Sequence, residues 1–298
     1  MINSIILLHN GEHYEKFSSE LKSINPAVEI ILLNDLPSLI ALPHSLLDRS
    51  RLIAYLSGVI VPLSIIKKLK YGAYNFHPGP PIRPGYASLE MAVYEGDEVY
   101  GTTVHEMDEL VDTGKINGIH AFPVPKNANA FDLYRLTMDS MLAIFGQKKK
   151  ELLNEAPLIS YPIPWGNKKF TKADYMAYLR ITRDISREEL DLRIRAFGYD
   201  FDHKLKLIER GNIYELENND RPEGYLDQSD FQVVCGQKFI RTKELVNIWV
   251  VSSVVCGAFA RFMRAFFSFI QGEAEVKVAK KGDVNKPSNY LLWWFLSF

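Results

Sequence analysis

Asn75-Phe76-His77-Pro78-Gly79, followed by Tyr100-Gly101-Thr102-Thr103-Val104-His105 and then Val111-Asp112-Thr113-Gly114, is the stretch whose reading decides the fold. Ala73 to Phe76 is an apolar run that Pro78, Pro80 and Pro81 stop at once, so it reads as a strand ending at the histidine. Asn75 and His77 lie two apart and point to the same side of an extended segment. Asp112 follows the strand-like Thr102 to Met107 and precedes a Thr-Gly turn, which puts it at a strand exit, where open α/β sheets place their ligand sites. Two strand ends are therefore expected to meet in one cleft. Acyl transfer to an amine needs a donor for the oxyanion, a group to take the ammonium proton and an anion to orient that group. Asn75, His77 and Asp112 supply one of each. Singly, each has a plain structural reading as a turn residue, a loop histidine or an Asx-turn former; their joint spacing carries the functional one.

Working outward, Ile5-Ile6-Leu7-Leu8 reads as a first buried strand, with neither the basic flank nor the cleavage site of a signal peptide. A polar helix-like segment from about residue 12 to 23 and a second β-rich run, Val28 to Leu33, make the opening β-α-β. Leu52 to Leu56 continues the pattern, Val59-Ile60-Val61-Pro62 reads as a buried strand end closed by proline, and Leu63 to Lys70 reads as a helix. This alternation predicts an α/β fold, Rossmann-like, with a mainly parallel sheet and helices on both faces. His9-Asn10-Gly11-Glu12 lacks the several glycines of a dinucleotide fingerprint, which weighs against a nicotinamide cofactor. A helix over about 87–95 closes at Gly96. His105 within the following strand reads as structural.

The residues at the centre resemble the folate-dependent formyltransferases, a family that includes methionyl-tRNA formyltransferase, glycinamide ribonucleotide transformylase, sugar N-formyltransferases and formyltetrahydrofolate hydrolase. The resemblance rests on Asn75 and His77, Pro84-Gly85, Glu95-Gly96-Asp97, Gly101-Thr102-Thr103 and Asp112-Thr113-Gly114. It implies the formyltransferase fold, N10-formyltetrahydrofolate as cosubstrate, and Asn75, His77 and Asp112 as catalytic residues. It also implies a pterin pocket from Ile60, Val61, Pro62 and Ile66 with the loop Asp108-Glu109-Leu110-Val111. Apolar walls with backbone hydrogen bonds suit a flat heterocycle. Where family members read Ser-Leu-Leu-Pro after the histidine, this chain reads Pro78-Gly79-Pro80-Pro81, a change on the acceptor side.

Further on, Phe131 to Leu153 reads as a long amphipathic helix whose Lys148-Lys149-Lys150 suits a C-terminal, solvated face. Pro157 to Trp165 is a Pro-rich connector. Ser186-Arg187-Glu188-Glu189 has capping-box spacing and opens a helix bearing Arg193 and Arg195, which read as surface ion-pair residues or as contacts to an acidic acceptor. Leu245 to Ala260 is apolar but falls short of a bilayer span; it reads as a buried, subunit-interface or membrane-surface helix, and Leu291 to Phe295 as a sequestered apolar end. The expected division is a catalytic domain over 1–178, its extension over 179–220, and a hydrophobic region of unassigned structure over 221–298.

Composition bounds the partners. The net charge of −1 leaves no global field for nucleic acid. Two cysteines, Cys235 and Cys256, have no partner pattern, so neither a disulfide framework nor a metal site is expected, and the chain fits the reducing cytoplasm. The expected function is formyl transfer to the primary amine of a small-molecule acceptor, a nucleotide-linked amino sugar first among them. Methionyl-tRNA as acceptor, hydrolysis of the formyl donor, and a folate-binding or membrane-associated scaffold are the alternatives. The C-terminal region is also read as a surface for a homo-oligomer or for contact with a membrane.

Overall fold

The computed structural model describes residues 1–9, 13–199, 204–217 and 226–242. In chain order the elements are β1 (Ser4–Leu8), α1 (Tyr14–Lys22), β2 (Glu29–Leu33), α2 (Leu36–Ile40), α3 (His44–Leu47), β3 (Ser50–Tyr55), α4 (Leu63–Ile66), β4 (Ala73–His77), α5 (Ser88–Glu95), β5 (Val99–Glu106) and β6 (Ile116–Pro123). They continue with α6 (Ala130–Leu152), α7 (Lys172–Tyr178), β7 (Arg180–Ile181), α8 (Arg187–Phe197), β8 (Lys206–Glu209), β9 (Asn212–Leu216), β10 (Leu226–Val234) and β11 (Gln237–Thr242).

A six-stranded sheet runs in the order β2-β1-β3-β4-β5-β6. Its first four strands are parallel, and β5 opposes both β4 and β6. Every residue of β1 and of β3 is buried, Ser4, Ser50 and Arg51 included, as befits strands at the centre of a two-sided sheet. Leu21, Phe17, Phe145 and Ile144 from α1 and α6 pack on one face, and Leu39, Leu47 and Ile65 from α2, α3 and α4 pack on the other. The expected α/β architecture with helices on both faces is thus present. The long helix falls within one residue of its expected bounds, opened by a reciprocal capping box between Asn129 and Asp132.

Four expectations need correction. Val59 to Pro62 is not a strand end, and Ile60 is 68% exposed. The cause is Leu56, whose φ of 51° turns the chain out of β3 so that 57–62 runs as a loop to Pro62, the N-cap of α4. The helix expected over 63–70 is a single turn, Leu63–Ile66. Lys148 does not face solvent: it is buried and pairs with Glu151 at 3.0 Å, although Lys150 is exposed. Ser186 does cap α8 by accepting from the Glu189 amide, but the Glu189 carboxylate turns to Arg193 and Tyr94 instead of closing a box.

A five-stranded sheet, β10-β11-β9-β8-β7, follows between Arg180 and Thr242. Phe239, Leu207 and Tyr214 from this sheet share a core with Tyr175, Leu190, Phe197 and the buried Met91, Ala92 and Val93 of α5. Arg193 is taken up there by Glu189 and by the carbonyls of Tyr178 and Arg180. Cys235 is a half-buried free thiol in the β10–β11 turn. Cys256, the apolar run 245–260 and the end 291–295 lie outside the described residues. No described helix is long and apolar enough to cross a membrane.

Candidate active site

β4 ends at His77 because Pro78 cannot donate to the ladder, and the loop beyond is held by its own carbonyls. The Tyr100 hydroxyl donates to the Pro78 carbonyl at 2.8 Å, and Thr103 Oγ1 donates to the Gly79 carbonyl at 2.7 Å. The Gly-Thr-Thr strand therefore pins the loop that follows the histidine. Gly79 has no room for a side chain: a Cβ there would stand 2.3 Å from Ser88 Oγ and 2.5 Å from His77 Nε2. This is a physical reason why the position holds glycine in this chain.

Asp112 reaches His77 by a route the sequence does not announce. Because β5 runs antiparallel to β4, its exit lies beside Tyr74, away from His77. The loop from Met107 to Lys115 has to fold back, with Asp112 at φ 53° and Gly114 against the backbone of Glu106. Asp112 Oδ2 then sits 3.6 Å from His77 Nδ1 and accepts from the Gly85 amide at 2.7 Å, while Oδ1 lies 3.3 Å from His105 Nε2. Asn75 Nδ2 is 3.1 Å from the same His105 nitrogen, as their pairing across β4 and β5 dictates. His105 Nδ1 donates to the Glu106 carbonyl at 2.7 Å. Asn75, His77 and Asp112 are thus brought together, with His105 as the link between the amide and the carboxylate.

The electrostatics follow from burial. Burial alone would raise the Asp112 carboxyl, but the His105 hydrogen bond, the His77 charge and the Gly85 amide outweigh it and hold the group at about 2. Burial pushes the His77 imidazole below its ordinary value, against the opposing pull of Asp112 and the Arg83 carbonyl. His77 Nε2 donates to that carbonyl at 3.1 Å, so in the neutral ring the lone pair is on Nδ1, facing Asp112.

These residues line one side of a cavity of about 620 Å³. Leu56, Val59, Ile60 and Val61 form one wall, and Met107, Asp108, Glu109, Leu110 and Val111 another. Pro62 and Ile66 do not line it; Pro62 caps α4 and Ile66 packs beneath the sheet. A third wall, Gly85, Tyr86, Lys169, Phe170 and Thr171, was not anticipated, nor was Trp165. The indole of Trp165 meets the rings of His105 and His77 edge-on, at 4.9 and 5.9 Å between centroids, and donates to the Gly114 carbonyl at 2.7 Å.

Residues 52–145 match the formyl transferase family. By this match the chain carries a formyl transferase segment. A methionyl-tRNA formyltransferase of Rickettsia bellii is 25% identical over 216 residues, 67% of this chain and 66% of that protein. The chain therefore spans just under two thirds of the length of that relative. Among solved structures, a sugar N-formyltransferase from a Shewanella species superposes with a TM-score of 0.60 at 15% identity, over 74% of this chain and 99% of that one. An N-formyltransferase from Helicobacter canadensis, in complex with folinic acid and dTDP-3-aminofucose, gives 0.53 at 19% identity, over 82% and 100%. At such identities the structural likeness speaks to the fold. The matched segment runs from β3 into α6 and holds Asn75, His77, His105 and Asp112; Trp165 and Lys169 lie beyond it.

Proposed function

We propose that the protein transfers the formyl group of N10-formyltetrahydrofolate to the primary amine of a small molecule, with a nucleotide-linked amino sugar as the acceptor. The observation that carries the reading is the convergence of Asn75, His77 and Asp112 on one cavity whose facing wall is apolar. A volume of about 620 Å³ and walls of Leu56, Val59, Ile60 and Val61 suit a flat pterin, with backbone groups of 57–61 and 107–111 to hold its edge. The folinic acid and amino-sugar nucleotide bound by the Helicobacter protein support the choice of donor and acceptor class.

In this reading the neutral amine attacks the formyl carbon and the carbonyl oxygen becomes an oxyanion. Asn75, whose amide nitrogen lies 3.1 Å from His105 Nε2, offers an amide hydrogen to that oxygen. His77, neutral because it is buried, takes the ammonium proton at Nδ1, where the resulting imidazolium faces Asp112. Asp112, ionised at any working pH, stabilises that imidazolium, which holds the proton until it passes to the leaving N10. The test is release of tetrahydrofolate by the purified chain with a panel of amino-sugar nucleotides. Acceptor-dependent release that falls by about a hundredfold in Asn75→Ala supports the assignment, and unchanged turnover in that variant removes it. The Rickettsia relative favours methionyl-tRNA as a second acceptor to include in the panel. Release without any acceptor would instead mean hydrolysis by the same three residues.

A further inference from the structure

Arg83 is buried yet does not line the cavity. Its guanidinium makes a bidentate pair with Asp97, Nε to Oδ2 and Nη2 to Oδ1 both at 2.5 Å, and Nη1 meets Glu95 Oε2 at 2.8 Å. A fork held at both ends by the close of α5 fixes the side chain in direction as well as position. The backbone of the same short segment does something else. The Arg83 carbonyl accepts from His77 Nε2 at 3.1 Å, and two residues on, the Gly85 amide donates to Asp112 Oδ2 at 2.7 Å. Gly85 has a φ of +92°, and a Cβ there would stand 2.6 Å from the Phe170 carbonyl, so the segment is seated tightly on its far side too.

We propose that Arg83 is a positioning residue: clasped by Asp97 and Glu95, it fixes the Arg83-Pro84-Gly85 backbone that holds His77 through a carbonyl and Asp112 through an amide. The inference rests on the reading of His77 and Asp112 as the proton-handling pair. It explains how a loop rich in prolines, pinned at Pro78 and Gly79 by β5, is also fixed at its far end, so that both partners of the pair keep one register. Release of the clasp lets the segment drift, and a misplacement on the order of 1 Å costs about a hundredfold in rate. The titratable groups facing His77 are Asp112, His105 and Lys169. Of these only Asp112 is tied directly to the clasped segment, by the Gly85 amide.

Arg83→Met and Arg83→Lys in the full chain test this by two readings: kcat and KM for N10-formyltetrahydrofolate, and the titration of His77 by histidine side-chain NMR, assigned with His77→Asn. The expected result for Arg83→Met is kcat lower by about a hundredfold with KM within about twofold, and partial recovery in Arg83→Lys. The His77 midpoint should fall in Arg83→Met, which loses the carbonyl acceptor that favours the imidazolium, and move back in Arg83→Lys. A folded Arg83→Met with wild-type kcat and an unmoved His77 midpoint overturns the proposal, as does a loss confined to KM. Should Arg83→Met fail to fold, Asp97→Asn must lower the same midpoint, and a wild-type midpoint there overturns the proposal equally. If no protein, wild type included, releases tetrahydrofolate, the proposed activity fails while the His77 midpoint still decides the role of Arg83.

Discussion

His77 is subject to two opposed demands. Burial favours the neutral ring, yet both ring nitrogens face oxygen acceptors, the Arg83 carbonyl and Asp112, and only the imidazolium could donate to both. The result is a group held below its ordinary pKa but ready to take a proton, which suits a base that works at neutral pH. The sign for stability follows. His77 and Asp112 both bind protons more weakly folded than unfolded, so each contributes stability at higher pH that is lost on acidification. The His77 share is lost as pH falls below the ordinary histidine value, and the Asp112 share between the ordinary carboxylate value and about 2. Unfolding measured against pH should show both steps in wild type, the upper one missing in His77→Asn and the lower one, on the order of 2 kcal/mol, missing in Asp112→Asn. At this scale the sequence was legible for Asn75, His77 and Asp112 because proline and Thr-Gly punctuation marked their places. His105 was not, because a histidine inside an apolar strand has the same pattern whether it fills a core or faces a partner across β4. Its Nε2 meets both Asn75 and Asp112, so His105→Phe should lower kcat by about tenfold or more, read by the same tetrahydrofolate release.

Between elements, the site depends on one strand direction and one loop. Hydrophobic patterning marks β5 as a strand but does not say which way it runs, because alternation is the same in parallel and antiparallel ladders. The antiparallel choice leaves Asp112 to be carried back by the loop 107–115, and that loop can close only where Gly114 meets Glu106 backbone to backbone. A Cβ at Gly114 would stand 1.9 Å from the Glu106 carbonyl oxygen. Gly114→Ala should therefore cost about 3 kcal/mol and reduce turnover, since the carboxylate is displaced along with the loop. Gly146 is the counter-case. It lies within α6, a Cβ there meets nothing within 4 Å, and Gly146→Ala should stabilise by about 0.5–1 kcal/mol with turnover unchanged. Thermal unfolding of the two variants beside wild type checks both signs. The third cavity wall shows the other kind of illegibility. Lys169, Phe170 and Thr171 follow a proline-rich connector with no periodicity, and they reach the cavity only because Phe170 forms an isolated bridge with Gly85. The strands between Arg180 and Thr242 were equally silent, because each is interrupted by charged residues.

For the whole molecule, the proposed formyl transfer is tested by its acceptor, and electrostatics separates the acceptor classes. Among the described residues that line the cavity, Lys169 is the one lysine or arginine, beside Asp108, Glu109 and Asp112. The chain as a whole carries a net charge of −1. A polyanionic nucleic acid would have to be gathered by contacts to several phosphates, each releasing counterions and each adding to the salt slope. A small amine that enters the cavity makes few such contacts. The apparent second-order rate constant with an amino-sugar nucleotide should therefore change by less than about threefold between 50 and 200 mM salt, whereas a reaction gathered by six or more phosphate contacts should fall by about a thousandfold or more. Measured on one preparation with both acceptors, the slope reads how each is held rather than how fast it reacts. A steep slope for methionyl-tRNA with faster turnover than any sugar nucleotide would move the assignment to the tRNA class, and a flat slope with sugar-dependent release would keep it with the small amines.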